Sequence, residues 1–230
     1  MLVQILRQRF TLSRRWIARS TCYVGINGRG GKETTQSIIQ KIKIRSELIM
    51  EGQEALANKM KLIRDEGHVK LYEYKPTLIK PLAINFEKMR FIRRLRFLYE
   101  YMHKGHYSVF YLMIDDSFVG HCVITPGGRR LWLSGKDDIV IGPYFIDESY
   151  RGHGYAQVLL ALTLKYCPYN YRRAYDWIEE SNVASIKTSE ACGMRQEGSR
   201  LNVVGLTRKL VEANDGEDIV YVYDNPNYTK

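Results

Sequence analysis

The chain is short of the features that mark whole classes of protein. Only four of its 230 residues are cysteine: Cys22, Cys122, Cys167 and Cys192. They are scattered, no pair has the spacing of metal ligands, and they suggest no disulfide framework. Reduced thiols and a cytoplasmic location are therefore expected. No apolar run is long enough to span a bilayer. There is no internal repeat, no low-complexity segment and no convincing nucleophile constellation. His103 and His106 fall on one face of a helix, but no further Cys or His stands near them to complete a four-ligand set, so no metal is expected.

Acidic residues are missing from one end. Residues 1–32 carry Arg7, Arg9, Arg14, Arg15, Arg19, Arg29 and Lys32 and no Asp or Glu, which accounts for +7 of the formal +10. The remaining body is only mildly basic. Charge confined to a tail rather than spread over a face argues against a general nucleic-acid binder. Within residues 1–20, Leu2, Ile5, Leu6, Phe10, Trp16 and Ile17 interleave with the arginines. Three readings stay open: a helix packed on the protein or a partner, contact with an anionic membrane, or an Arg-rich targeting segment.

What is present has α/β character. A glycine-rich loop at Gly25–Gly31 precedes a helix that Thr34 or Thr35 can cap. Ile38, Ile42, Ile49, Leu56, Met60 and Ile63 extend it to about Arg64. His68–Tyr74 reads as a strand, and Pro76 and Pro81 break the segment after it. Asn85–His103 is a second amphipathic helix, its other faces lined by Lys88, Arg90, Arg93, Arg94 and Arg96. Tyr107–Ile114 and Phe118–Thr125 form a hairpin through Asp115-Asp116-Ser117. Arg173–Glu179 is a further strand, Asn182 caps a short helix that Gly193 closes, and Met194–Leu210 and Ile219–Tyr223 finish the sheet.

The stretch from Asp138 to Tyr166 organises the rest. Ile139–Ile146 is a β-branched and aromatic strand broken midway by Gly142-Pro143, and Pro143 cannot donate to a ladder, so it marks an edge or a bulge. Arg151–Ala156 is a turn with Gly152 and Gly154. From Tyr155 a helix runs with apolar side chains nearly all round and a narrow polar strip at Gln157 and Lys165, the pattern of a buried helix. Strand, glycine turn and helix start together make an anion site. The first helical N–H groups lack partners, the dipole adds positive charge, and Arg151 adds more from the rim.

Arg151-Gly152-His153-Gly154-Tyr155-Ala156 resembles the pyrophosphate loop of the GCN5-related N-acetyltransferase (GNAT) superfamily. Asn182-Val-Ala-Ser185-Ile186, followed by Gly193-Met194, resembles that family's second coenzyme segment. The resemblance covers roughly residues 68–225. The resemblance implies a mixed, mostly antiparallel twisted sheet with flanking helices and a bulged central strand. A basic segment and helix over 1–67 would precede an acetyltransferase domain at 68–230. It implies acetyl-coenzyme A (acetyl-CoA) as co-substrate and direct transfer to an amine of a small molecule or amino sugar, with peptide or protein amines as the alternative. Backbone at Tyr144, Phe145 and Ile146 would meet the pantetheine arm. The N–H groups of Gly152, His153, Gly154, Tyr155 and Ala156, with Arg151, would hold the pyrophosphate, and Asn182 and Ser185 the far wall.

The family's usual general-acid tyrosine would fall at Ser189, a poor acid, which leaves Tyr144 or Tyr155 as the phenol. For the base, Glu179 and Glu180 stand at the end of the fifth family strand and point to opposite faces. Glu180 is the choice, with His121 and Asp147 behind it. A non-catalytic acyl-CoA-binding module and a homodimer remain alternatives. No nucleic-acid partner is expected.

Overall fold

The structure is a computed structural model and describes residues 52–77, 80–84, 86, 107–128, 131, 133–204 and 209–230. The readings of residues 1–20, of the glycine-rich loop, of the first helix up to residue 51 and of the helix at 85–103 lie outside the described residues.

Among the described residues nine strands form one sheet. They are β1 (Lys61–Asp65), β2 (Val69–Tyr74), β3 (Ser108–Ile114), β4 (Ser117–Pro126), β5 (Ile139–Ile146), β6 (Arg173–Glu179), β7 (Arg195–Val204), β8 (Lys209–Glu212) and β9 (Asp218–Asp224). Their order across the sheet is β1-β2-β3-β4-β5-β6-β9-β7-β8. Every neighbouring pair is antiparallel except β5 and β6. Helix α1 (Tyr155–Tyr166) returns the chain from β5 to β6, and α2 (Val183–Ala191) follows β6. A sheet with one parallel pair needs one long crossover, and α1 supplies it.

The central strands form where apolar residues cover both faces. In β3, Val109, Tyr111 and Met113 pack with Tyr72, Tyr74, Phe118 and Val123, and Leu56, Leu82, Ile84 and Phe86 close over them. Phe110, Leu112 and Ile114 alternate with them and are equally buried, as a strand covered on both sides requires. Helix α1 lies against β2 to β5 and beside α2. Leu159, Leu160, Leu162 and Leu164 are buried, while Gln157 and Lys165 form the exposed strip that the pattern predicts. Each buried leucine is worth about 2 kcal/mol of removed apolar surface.

The β3–β4 hairpin closes through Asp115 and Asp116 alone, because Ile114 pairs with Ser117. Both aspartates have positive φ, 44° and 62°. Two left-handed residues in a two-residue loop match the twist of the flanking strands.

Two expectations are corrected. The first helix does not reach Arg64. Helical residues 52–57 end in short turns, Lys59 N–H to Leu56 C=O and Met60 N–H to Ala57 C=O. Lys61–Asp65 then pairs antiparallel with β2. The free edge of β2 offers this segment a ladder, and only Ile63 among its side chains is half-buried. The apolar spacing that suggested a helix was therefore not decisive here. Second, Met194–Leu210 is not one strand: β7 and β8 pair as a hairpin, Val204 opposite Lys209.

Candidate active site

The site begins where β5 stops pairing with β6. The two strands share only Ile139↔Ala174 and Val140↔Tyr175. Beyond them β6 keeps its full ladder with β9, and β5 keeps its ladder with β4. The sheet is thus split like a V, whose two inner edges do not pair with each other. The cause lies at Gly142-Pro143. On β4, Cys122 faces Tyr144 and Ile124 faces Ile141. One residue, Val123, therefore stands opposite two, which is a bulge. Gly142 takes φ +103° there, and its peptide bond to Pro143 is cis. Glycine alone adopts that φ without strain. The bulged central strand read from sequence is the strand observed.

The V holds a cavity of about 210 Å³. Gly142, Pro143 and Tyr144 form one wall, and Asp176, Trp177 and Glu179 the other. Asn182 and Ser185 of α2 close one end. Asn182 serves its helix as well, since its side chain accepts from Ser185 N–H at 3.2 Å. Among the described residues the wall carries two carboxyl groups and no basic side chain.

Tyr144 donates its hydroxyl to the Ser185 carbonyl at 3.2 Å. Burial, with Asp176 nearby, pushes this phenol well above its ordinary value of 10, so it remains a donor at any working pH. Asp176 is 3% exposed and accepts from Ser189 Oγ at 3.2 Å. Burial pushes its pKa up to about 7, partly offset by Ser189 and by the Trp177 N–H. Glu179 is exposed at the mouth and accepts from Ser181 Oγ at 2.6 Å.

At the other end of β5 lies the glycine turn. Gly154 is the N-cap of α1, left-handed at φ +80°, with no side-chain cap. Gly152 has the same φ. Among the described residues, the N–H groups of Gly152, His153, Gly154, Tyr155 and Ala156 donate to no backbone carbonyl. A Cβ added at Gly152 would meet nothing within 4 Å, and one at Gly154 only Gln157 Oε1. An uncapped helix start beneath open space is an anion cradle. Arg151 sits on its rim. Its Nε donates to the Ile146 carbonyl at 3.0 Å, its guanidinium lies 4.9 Å over the Phe145 ring, and Glu148 is 3.6 Å away. A polyphosphate on the turn and an extended arm in the V fit these donors and this space. Tyr155 packs near Tyr150 and His153 at the helix start and does not line the cavity.

The cavity thus brings together Tyr144, Asn182 and Ser185, and the turn brings together Arg151 to Ala156. Glu180 does not join them. Its carboxylate is held in a two-pronged ion pair by Arg200, 2.9 Å at each oxygen. The guanidinium lowers its pKa, which weakens it as a base. Of the two adjacent glutamates, Glu179 is the one that lines the cavity. His121 is 2% exposed, stacked between Phe86 and Phe145, and burial lowers its pKa to about 4. Asp147 caps the short 3₁₀ helix Glu148–Tyr150 through Ser149 N–H. Asp176 was missed. Its signal was a lone carboxylate amid the apolar run Ala174 to Ile178.

The model of the acetyltransferase (GNAT) family matches residues 77–194. No curated protein matches the chain in sequence. Solved structures are similar to the chain. One is an uncharacterized protein from Bacillus halodurans, at 12% identity and TM-score 0.52, covering 72% of this chain and 90% of that one. A second is a ribosomal-protein-S5-alanine acetyltransferase from Vibrio fischeri, at 15% identity and TM-score 0.49, with coverages of 73% and 98%. A third is a spermidine N-acetyltransferase from Vibrio cholerae in complex with CoA and spermine, at 17% identity and TM-score 0.44, with coverages of 62% and 81%.

Proposed function

The chain belongs to the acetyltransferase (GNAT) family, acyltransferases that draw on acetyl-CoA, and from that premise we propose that it passes acetyl directly to a primary amine of a small molecule or amino sugar. The observation that carries this reading is the V between β5 and β6, which ends in the uncapped start of α1. In this reading the pyrophosphate sits on the N–H groups of residues 152–156, and Arg151 leaves the Phe145 ring to meet it. The pantetheine arm follows β5 past Ile146 and Tyr144 and is faced by Asn182 and Ser185.

The acceptor enters from the mouth. The Glu179 carboxylate at the mouth, with no basic side chain on the cavity wall among the described residues, attracts an amine, which is a cation in solution. Glu179 stands there, and we assign it rather than Glu180 to relieve the attacking nitrogen of its proton. The nitrogen adds to the acetyl carbonyl carbon and the C–S bond then breaks. Tyr144 offers its hydroxyl to the leaving sulfur. The phenol that many family members place at the position of Ser189 is in this chain carried by β5, aimed at the same helix.

Titration calorimetry with acetyl-CoA on wild type and on Gly154→Trp tests the reading. Wild type is expected to bind one equivalent. The variant, which fills the cradle, is expected to bind at least about 100-fold more weakly, roughly 2.7 kcal/mol. A folded wild type that does not bind acetyl-CoA overturns it. Binding opens a screen of primary amines, followed by release of the free thiol.

A further inference from the structure

At the back of the same cavity stands a buried carboxyl that the steps above leave unused. Asp176 lies at the middle of β6 and lines the cavity with Tyr144. Its Oδ1 is 3.4 Å from where a Cβ on Gly142 would lie, so it reaches the bulge itself. The groups that face it come from four elements: Cys122 of β4 and Tyr144 of β5, Ser189 of α2, and Tyr221 of β9. Tyr221 is its cross-strand partner and donates to Glu190. None is a cation. A carboxyl buried beside no cation is costly to ionise, and an asparagine would satisfy Ser189 equally well.

The phenol of Tyr144 has a complementary deficiency. Raised above 10, it is a weaker acid than a thiol, whose ordinary pKa is about 8.5. Alone it can hydrogen-bond a leaving thiolate but cannot protonate it with net gain. A neighbouring carboxyl that holds its proton near neutrality supplies what the phenol lacks. Ser189 stands between them: it bonds Asp176 at 3.2 Å, and its hydroxyl also interacts with the Tyr144 phenol.

We propose that Asp176 is the proton source of the transfer, acting through Ser189 and Tyr144 on the sulfur of the leaving coenzyme. The proposal rests on the acetyl-CoA reading of this cleft. As the C–S bond breaks, its electron pair stays on sulfur. With Asp176 protonated, the 3.2 Å bond runs from its carboxyl to Ser189 Oγ, which turns the Ser189 proton toward the Tyr144 oxygen, and the Tyr144 hydroxyl turns from the Ser185 carbonyl to the sulfur. The Tyr144 proton then moves to sulfur, the Ser189 proton to the Tyr144 oxygen, and the Asp176 proton to Ser189 Oγ. The products are the amide, the free thiol and the Asp176 carboxylate. The surplus proton of the amine nitrogen leaves by Glu179 to water, and Asp176 regains one from water once the thiol departs. Asp176 is thus a positioning residue for the phenol, and Ser189 is the link that makes a serine at this place useful.

Two measurements on the full chain test it. Coenzyme A is titrated in two buffers of different ionisation enthalpy, between about pH 6 and 8.5. Filling the cavity drives Asp176 further toward its neutral form, so wild type is expected to take up about half a proton more per coenzyme than Asp176→Asn near pH 7.5. Turnover is then followed with hydroxylamine, an acceptor surrogate that is far less basic than an alkylamine and is largely neutral in the upper part of this range, where Asp176 titrates. Wild-type kcat is expected to fall as pH rises past the titration of Asp176. Asp176→Asn and Ser189→Ala are expected to lose about 100-fold in kcat, keep KM for acetyl-CoA within about twofold, and lose that limb.

Equal proton uptake in wild type and Asp176→Asn overturns the proposal. So do variants with wild-type kcat and pH profile. Ser189→Ala leaves the carboxyl in place and decides the matter if Asp176→Asn does not fold. Wild type that binds no coenzyme A removes the acetyl-CoA reading and this proposal together. Wild type that binds and transfers, with variants indistinguishable from it, removes this proposal alone.

Discussion

At the scale of single residues, the cavity is decided by which carboxyl is held and which is not. Glu179 and Glu180 are adjacent in sequence, yet Arg200 captures only the second. Glu180→Gln is expected to leave acetyl transfer within about twofold of wild type, whereas Glu179→Gln lowers kcat by about 100-fold. The reverse order in a steady-state assay would return Glu180 to the site. Asp176 makes a separate prediction about stability. Its folded pKa, about 7, lies above its ordinary 3.8. Between these values the native state binds a proton that the unfolded chain has lost. Stability therefore falls as pH rises from about 4 to about 7, by up to about 4 kcal/mol. Asp176→Asn lacks this dependence. Urea unfolding of the two proteins across this range is expected to show wild type losing ground to the variant as pH rises. Parallel curves would mean that Asp176 is ionised in the fold.

At the scale of elements, sequence was informative where a local pattern had one structural solution. Ile139–Ile146 is the strand it reads as, because its alternation is β-branched and aromatic, and Asn182 and Gly193 bound their helix because cap chemistry is local. The glycine turn was legible for the same reason. Lys61–Asp65 was not, since Met60 and Ile63 fit a helical stripe as well as a strand, and the free edge of β2 made the choice. Asp176 and Glu180 were not legible either. Their roles depend on Ser189 and Arg200, which are distant in sequence and are brought to them by α2 and by β7. The β3–β4 turn offers an element-level test. Asp116 holds φ +62° and its carboxylate pairs with Lys70 at 3.2 Å, at the surface. Asp116→Val places a β-branched residue in the left-handed region and is expected to cost about 1–2 kcal/mol. Asp116→Gly relieves the backbone and loses only a surface ion pair, so it is expected to stay within about 0.5 kcal/mol of wild type. Equal losses in thermal unfolding would place the value of this turn in the ion pair instead.

At the scale of the whole molecule, the sheet is two ladders that meet at two residue pairs. Strands β1 to β5 form one and β6, β9, β7 and β8 the other, with Ile139↔Ala174 and Val140↔Tyr175 as the seam. Beyond the seam the inner edges of β5 and β6 have no ladder partner in each other, so a ligand in the V supplies contacts to both halves at once. Coenzyme binding is therefore expected to stabilise the entire fold. Acetyl-CoA at 100 times its Kd contributes about 2.7 kcal/mol by mass action. In a chain of this size that raises Tm by about 5–10 °C. The same ligand is expected to slow amide exchange in Trp177–Glu179, which line the V, and in Gly152–Ala156 at the start of α1, whose N–H groups donate to no backbone carbonyl among the described residues. Gly154→Trp is expected to keep the unliganded Tm within a few degrees and to lose the shift. A rise in Tm with protection confined to the turn would mean that the coenzyme docks by its phosphates alone. The V would then be open to some other ligand.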